Sequence, residues 1–433
     1  MEDLRKKAKE YKRQEEYGKA LELYKIILNE NNLKDIDNWL GWEYADLLKK
    51  NGDLDNAIKV CKSIYTRDKN FKYVKDLLAW CLYEKYFKNN KEVDSVKLES
   101  VAIFIINIVE RDNDSTPYNK VVGRMINKFK KPFITDKIIV WLERADLKYL
   151  SKTPLKIKIK INKEIELASP LEQWYYLYCK ALYNKGQYSK CLIYIESAFN
   201  EIDEYHNDYD IWLMRFKYLC LKNIGEIKEA IDMVGNAINK REKWIHYYDL
   251  AEMYVLLKEY NKATFYLSKA LLFKDQDKVK INAYELMAKV LLELKRYKEA
   301  KMHLLYGREI RRVENWKVSN MENELLLLES NYSGDLEIKT LKNDLIKIWK
   351  KEVLKDNSNR KMGTIISIGK NNKYGFIRGD NQNYYFNISS IIGSNSINIG
   401  MTVSYRLKRG FNKKKNEESI EATEIFVIEE MGK

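Results

Sequence analysis

The chain contains few of the residues that interrupt helices. Its 433 residues include only 4 prolines and 17 glycines. Proline cannot donate a backbone N–H within a helix and glycine weakens one, so this scarcity favours a mainly helical body. Long stretches rich in Leu, Ile, Tyr and Lys at helical period indicate the same. At this length, two or three structural units are expected.

Long apolar runs are also absent. The longest, residues 101–109, is interrupted by Asn107 and is too short to span a bilayer as a helix. The first residues lack the apolar segment of a secretory signal. We therefore expect a cytoplasmic protein that does not insert into a membrane.

Cysteine and histidine are scarce and show no spacing typical of a metal site or a disulfide framework. No two of the 5 cysteines form a CxxC pair, and all lie in apolar helical patterns, which predicts small core residues in a reducing compartment. They are Cys61, Cys81, Cys179, Cys191 and Cys220. His206, His246 and His303 have no Cys, Asp or Glu neighbour at ligand spacing, so we expect no metal and no cofactor.

Acidic residues are outnumbered. The sequence has 78 Lys and Arg against 63 Asp and Glu, a formal net charge of +15. This excess biases partners towards phosphate-rich polymers, although solvated Lys-rich helices would account for much of it. The sequence shows no Walker loop, HExxH or GxSxG motif, and we expect no enzymatic activity.

A short pattern recurs six times, in which a small residue follows a turn containing Gly or Lys. The small residues are Ala20, Ala57, Cys191, Ala230, Ala263 and Ala300. Adjacent occurrences lie 33 to 39 residues apart. In four of them a second small residue lies 12 residues earlier, about the length of one helix. The pattern resembles the tetratricopeptide repeat, whose period is about 34 residues. The resemblance implies helical hairpins stacked into an α-solenoid, with a groove that binds a protein or peptide.

The predicted solenoid covers residues 1–354. Its parts are clear repeats at 1–70 and 170–312, a degenerate or inserted region at 71–169, and capping helices at 316–354. Helices are predicted in the degenerate region at 73–87, 92–110 and 137–150, and in the cap at 321–330 and 341–355.

One segment of the degenerate region departs from helical period. Lys156–Ile161 alternates lysine with isoleucine, which predicts an extended segment. Its basic face could contact phosphates, or it could be a solvated edge strand protected by its lysines.

Composition changes after a polar linker at 355–361. Glycines recur at short intervals over 362–433, and five strands are predicted there, at 362–368, 373–378, 383–387, 402–408 and 420–428. Five short strands are suited to a small β-barrel. The predicted fold class is thus α plus small β, an α-solenoid followed by a five-stranded barrel.

Aromatic residues alternate along two of these strands. Strand period puts Tyr374 and Phe376 on one face, and Tyr385 on one face of the next strand. If the strands pair, three rings share a surface on which each stacked base contributes about 1–3 kcal/mol. Tyr384 and Phe386 are assigned to the core. The alternative is that the other rings also only cover the core.

The same segment resembles a cold-shock domain, an OB-fold that binds single-stranded RNA or DNA. The matching stretches are Gly363–Ile377, Tyr384–Ile391 and Gly400–Tyr405. The sequence departs from the family at three ring positions, where Ser367 replaces Trp, Asn387 replaces His and Ile388 replaces Phe. The aromatic loop before the fourth strand is replaced by residues 393–397.

These patterns predict a site for single-stranded nucleic acid, with RNA favoured over DNA. Its predicted residues are Lys373, Tyr374, Phe376, Arg378, Tyr385, Asn387, Arg406, Lys408, Arg409 and Phe411, with added charge from the loop 413–415. The leading hypothesis is a non-enzymatic adaptor that binds nucleic acid through the barrel and a protein or peptide through the solenoid. The alternative is a protein-only scaffold whose barrel no longer binds nucleic acid.

Overall fold

In the computed structural model the chain forms two compact units, Met1–Phe216 and Lys217–Lys433. Described residues are 2–28, 36–88, 94–111, 116–160, 163–317, 323–325, 338–356, 360–369, 372–380, 382–392, 397–412 and 417–428.

The first unit is built of helices with one β-hairpin. In chain order its elements are α1 Glu2–Arg13, α2 Tyr17–Leu28, α3 Asn38–Lys50, α4 Leu54–Arg67, α5 Lys72–Tyr83, α6 Ser95–Ile108, α7 Tyr118–Phe129, α8 Thr135–Leu142, β1 Leu155–Lys160, β2 Lys163–Leu167, α9 Pro170–Asn184 and α10 Tyr188–Glu201. Helix α11, Tyr209–Asn223, spans the division between the units.

The second unit continues the helices and ends in a barrel. Its helices are α12 Ile227–Lys240, α13 Trp244–Leu256, α14 Tyr260–Leu272, α15 Ile281–Glu293, α16 Tyr297–Val313 and α17 Ile338–Leu354. Its strands are β3 Arg360–Ile368, β4 Tyr374–Arg378, β5 Asn383–Asn387, β6 Thr402–Asn412 and β7 Glu417–Val427.

The six small residues of the repeat pattern all lie in the core. Each is the fourth residue of its helix and is fully buried. Ala8, Cys179, Ala251 and Ala288, the small residues predicted one helix earlier, are fully buried as well. Small side chains at both positions let the two helices of a hairpin approach closely. The tetratricopeptide-like architecture is therefore confirmed.

The turn inside each hairpin repeats with the same backbone geometry. The residue five positions before each small residue has a positive φ; these residues are Glu15, Gly52, Gly186, Gly225, Lys258 and Lys295. In each turn the next N–H donates to a carbonyl five residues earlier, as from Glu226 N to Leu221 O at 3.0 Å. This is the Schellman motif, which ends the first helix and reverses the chain.

In the degenerate region, α5 and α6 agree with the helices predicted at 73–87 and 92–110, whereas the following segment differs from the prediction. Helix α7 was missed, although Val121, Met125 and Phe129 form a buried stripe at helical spacing. Helix α8 ends at Leu142, well before the predicted residue 150.

The extended segment Lys156–Ile161 is described up to Lys160, where β1 pairs with β2 as an antiparallel hairpin. Lys156 and Lys158 lie 3.1 Å and 3.9 Å from Glu166 and Glu164 on the partner strand. These ion pairs offset the basic face, which weakens the interpretation as a phosphate contact.

Helix α17 closes the helical part of the second unit. Leu341, Leu345, Trp349 and Val353 recur at four-residue spacing, are buried, and belong to one core cluster with residues of α14, α15 and α16. Trp349 Nε1 donates to Nε2 of the buried His303 at 2.8 Å. The helix fits the predicted cap at 341–355, whereas most of the other predicted cap helix, 321–330, lies outside the described residues.

The barrel closes in the order β3-β4-β5-β7-β6, with β5 and β7 parallel and the other pairs antiparallel. This arrangement agrees with the predicted five-stranded OB-fold barrel. The predicted linker is too long, because Arg360 and Lys361 pair with Arg406 and Tyr405 as part of β3. Arg360 is held there because its guanidinium donates to Ser404 Oγ at 2.8 Å and to Ser404 O at 2.9 Å.

Neither a metal site nor a membrane span emerges from the described residues. Across those residues, no group of three or more His, Cys, Asp or Glu side chains could hold a metal ion. None of the helices described above is both long and apolar enough to cross a membrane. The five cysteines are buried and unbridged, as small core residues should be.

Candidate nucleic-acid interface

Three aromatic rings meet on the outer face of β4 and β5. Phe376 is the direct partner of Tyr385 in the antiparallel pair. The Tyr374 ring lies 6.3 Å from that of Phe376 and 5.9 Å from that of Tyr385, and the latter two rings are 5.9 Å apart. Tyr374 is 39% exposed and the other two rings are partly buried. The predicted shared surface is therefore present.

The opposite face of the same strands forms the barrel core. Ile377 and Phe386 are fully buried and Tyr384 is 6% exposed. All three belong to a core cluster with Val403 and Tyr405 of β6. Strand alternation thus separates core rings from outer rings, which excludes the alternative that all the aromatics only cover the core.

The outer rings belong to a row that crosses all five strands. Direct pairing partners follow one another from β3 to β6 as Ser367, Phe376, Tyr385, Glu421 and Lys408. Directly paired residues place their side chains on the same face of a sheet. We call these five residues the outer row.

Tyr374 is positioned beside the outer row by a glycine. A Cβ on Gly369 would lie 2.6 Å from a Tyr374 ring atom, a distance that real side chains do not tolerate. Glycine at this position therefore lets the ring lie against the end of β3. Lys373 and Arg378, at the two ends of β4, are exposed.

Asn387 faces the same side as Tyr374, its pairing partner. Its side-chain oxygen accepts from Ser389 N at 2.9 Å and from Ser389 Oγ at 2.8 Å. These bonds cap the single helical turn that follows β5. The side chain thus has a local structural task at the edge of the predicted site.

A carboxylate lies next to the rings. Glu421 is the parallel partner of Tyr385. Partial burial, and then the negative charge of Glu421, raise the pKa of Tyr385. The phenol is therefore neutral at physiological pH and can donate a hydrogen bond.

The structure places two predicted phosphate ligands in another role. Arg406 donates to Asp356 Oδ2 at 2.5 Å, at the end of the helical segment. Lys408 Nζ donates to Asn239 O at 2.8 Å, near the end of α12. Both cations join the barrel to the helices of the second unit. Arg409 is exposed, while the side chain of Phe411 and the loop 413–415 lie outside the described residues.

Sequence reasoning missed the acidic centre of this junction. Glu424 lies in a bulge of β7 with a φ of 48°, and its carboxylate is 2.7 Å from Lys269 Nζ of α14. The guanidinium groups of Arg360 and Arg406 approach its other oxygen at 3.7 Å and 3.5 Å. Because the partners come from distant segments, no local pattern could have indicated this cluster.

A second aromatic surface occurs in the first unit. Trp39 and Trp42 of α3 meet Phe71 and Tyr73 at the start of α5, with ring centroids 4.8 to 6.1 Å apart. Trp39 is 46% exposed and Tyr73 is 51% exposed. We call these four residues the tryptophan patch. Trp42 also lines a groove of about 360 Å³ whose other lining residues are Lys9, Lys12, Arg13, Tyr24, Glu43 and Lys50.

No curated protein matches the sequence. A family model described as a domain of unknown function (DUF7017) matches residues 211–344, less than half of the chain.

Several solved structures resemble the chain weakly. A tetratricopeptide repeat protein from Parabacteroides merdae is 11% identical, with 76% of this chain and 98% of that chain covered and a TM-score of 0.32. A human IFIT1 dimer with PPP-AAAA is 17% identical, with 80% and 79% covered and a TM-score of 0.38. Naa15/Naa10 bound to HypK-THB is 12% identical, with 82% and 52% covered and a TM-score of 0.39.

Proposed function

We propose that the protein is a non-enzymatic, cytoplasmic adaptor that binds single-stranded nucleic acid, with RNA favoured over DNA, through the outer face of its barrel. The single observation that carries this proposal is the cluster of Tyr374, Phe376 and Tyr385 rings on one accessible face, within 6.3 Å of one another. Every base has a π-face, so such a surface binds unstacked bases with little sequence preference.

The energetics set the expected behaviour. Stacking contributes about 1–3 kcal/mol per base, and basic side chains that neutralise phosphates make binding salt-dependent. Lys373, Arg378 and Arg409 are exposed, and Arg378 lies on the face of β4 that carries Tyr374 and Phe376. With Arg406 and Lys408 engaged at the junction, a modest affinity is expected at physiological salt.

The test is a fluorescence-anisotropy titration of the full chain with an unstructured 12-nucleotide RNA and the DNA of the same sequence. Replacing Tyr374 and Phe376 together by alanine should cost roughly 2–6 kcal/mol, a loss of at least about 30-fold in affinity. Tyr149→Ala, which removes a ring that is 45% exposed in the first unit, is the matched control and should bind as the wild type does. Unchanged binding by the double variant would remove the ring surface from the proposal.

A protein or peptide partner is proposed for the solenoid. The exposed tryptophan patch and the mostly basic groove beside it support a partner that carries an aromatic or apolar anchor near acidic residues. Aromatic side chains of this kind are enriched among the residues that dominate protein interfaces.

The second candidate function is a protein-only scaffold. It is favoured by one observation, the use of Arg406 and Lys408 to attach the barrel to the helices instead of leaving them for phosphates. Purification from the native cell with and without nuclease separates the two. The adaptor should lose RNA and any RNA-dependent partners, whereas the scaffold should keep all its partners and bind no oligonucleotide even at low salt.

A further inference from the structure

The outer row contains a carboxylate between the rings and Lys408. Glu421 pairs with Tyr385 of β5 on one side and with Lys408 of β6 on the other. Lys408 Nζ donates to Asn239 O instead of pairing with this carboxylate. Among the residues that the structure describes, no hydrogen bond or ion pair involves the Glu421 carboxylate. Since an ionised carboxylate only accepts hydrogen bonds, Glu421 has room for donors from outside the protein.

A glycine determines where this carboxylate lies. A Cβ on Gly410 of β6 would be 2.6 Å from Glu421 Cδ and 2.7 Å from its Oε1, closer than real side chains allow. The Glu421 side chain therefore lies across the backbone of Gly410, on the outer face of the sheet. A larger residue at position 410 would displace it.

The carboxylate is within reach of a base on the rings. Tyr385 and Glu421 are direct partners on neighbouring strands, which lie about 4.8 Å apart. Partial burial, and then the negative charge of Glu421, raise the pKa of the Tyr385 phenol, so the charge acts on the ring. A base that stacks on Tyr385 can therefore turn its edge towards Glu421.

The hydrogen-bond donors of a base decide how well it suits a carboxylate. Unstacked bases of a single strand are recognised on their Watson–Crick edges. Guanine presents two adjacent donors there, N1–H and the N2 amino group, which match the two oxygens of a carboxylate. Adenine and cytosine present one amino group beside an acceptor. Uracil presents one N–H between two carbonyl oxygens, which a carboxylate repels.

We infer that Glu421 selects guanine, because its two carboxylate oxygens can accept from N1–H and from the N2 amino group of a guanine stacked on Tyr385. The inference rests on the proposed function, since it needs a single strand on the ring surface. The rings stack on any base, so Glu421 supplies a preference that stacking lacks. Gly410 is a positioning residue, because its missing side chain leaves the space in which the carboxylate lies.

The test is an anisotropy titration of the full chain with three unstructured RNAs, each a 12-nucleotide uridine strand with two central purines. The purines are guanosine, inosine or adenosine, so their stacking areas are similar. Inosine keeps N1–H but lacks the N2 amino group. The wild type should bind the guanosine RNA about 5- to 150-fold more tightly than the adenosine RNA, the range that one good bidentate contact gives. The inosine RNA should bind with intermediate affinity.

Three variants separate the contact from a general effect of charge. Glu421→Ala should lower the ratio of guanosine to adenosine affinity to about twofold or less, because the acceptor is gone. Gly410→Ala keeps the charge but displaces the carboxylate, and should lower the ratio as well. Glu293→Ala removes an exposed carboxylate at the end of α15 and should leave the ratio unchanged. Far-UV circular dichroism checks folding, and Glu421→Ala carries the test if Gly410→Ala does not fold.

The outcomes distinguish this inference from the function on which it rests. If Glu421→Ala keeps the preference, or the wild type has none, selection by Glu421 is overturned. The ring surface still stands in that case, provided that replacing Tyr374 and Phe376 weakens binding. Equal affinity for the guanosine and inosine RNAs, or an equal loss of preference in Glu293→Ala, also overturns selection. Absence of binding by the wild-type chain overturns both proposals.

Discussion

At the residue scale, the ring surface has a gap at one end. Ser367 begins the outer row as the direct partner of Phe376, and its side chain is partly buried. A Trp at this position, which the predicted resemblance to a cold-shock domain implies, would add a fourth ring to the surface. A small hydroxyl there leaves the face of Phe376 with no aromatic neighbour on β3, so a base would stack on three rings instead of four.

Restoring the missing ring should strengthen binding. Ser367→Trp is expected to raise affinity for an unstructured 12-mer by about 1–3 kcal/mol, roughly 5- to 150-fold, because it adds one stacking surface to the row. Anisotropy titration at fixed salt measures the gain. Ser367→Ala, which adds no ring, should bind as the wild type does, and a tryptophan variant that folds normally but gains nothing would contradict the ring-row account.

At the element scale, six hairpins share one turn geometry that their sequences satisfy in different ways. Three turns use Gly at the positive-φ position and three use Glu or Lys. Residues with a Cβ adopt the left-handed conformation at a cost of about 1–2 kcal/mol, so the non-glycine turns carry strain. Packing of the small residues and the repeated hydrogen bonds of the turn impose the same reversal on all six.

Exchanging residues at these turns should change stability in opposite directions. Gly225 has a φ of 98°, and a Cβ there would meet nothing within 4 Å, so Gly225→Ala isolates the backbone cost and should destabilise by about 1 kcal/mol. Lys258→Gly, at a φ of 58°, should stabilise by up to about 1 kcal/mol. Native-state hydrogen exchange of the amides in α12 and α13 measures both. Equal effects of the same sign would show that φ does not control these turns.

At the scale of the second unit, the barrel and the helices share a core. Phe426 of β7 is 1% exposed and belongs to the cluster built by α14 to α17, while its neighbour Ile425 lies in the barrel core. Arg360 lies over the Phe426 ring at 4.8 Å. Glu424, two residues before Phe426, forms an ion pair with Lys269 of α14. Strand alternation at this point directs one residue into each core, which couples the barrel to the repeat helices.

Removing the Phe426 side chain should uncouple the barrel from the repeat helices. Phe426→Ala is expected to cost about 3–5 kcal/mol, because it empties a buried aromatic site, and to let the barrel open separately from α14. Hydrogen exchange followed by mass spectrometry should show that the substitution speeds exchange in β6 and β7 more than in α14, each compared with the wild type. Ile420→Ala, which truncates a side chain that is 51% exposed on the same strand, should leave the coupling intact.

Local sequence patterns predicted much of this architecture. The six small residues and their turns indicated the hairpins, since a repeat places the same residue types at the same packing positions. Helix α7 was missed although its apolar spacing is regular, because it is only 12 residues long and lies in a region without a repeat to align it.

The sequence by itself determined the ring surface. The period of a strand separates Tyr374, Phe376 and Tyr385 from Tyr384 and Phe386 whatever the rest of the chain does. Only the tertiary structure determined which partners the basic side chains of the barrel contact. Arg406 and Lys408 have the same local pattern as phosphate ligands, but closure of the barrel and its packing against α12 and α14 bring them to Asp356 and Asn239. Charge pairing depends on which distant segments meet, and that information is absent from any local stretch of sequence.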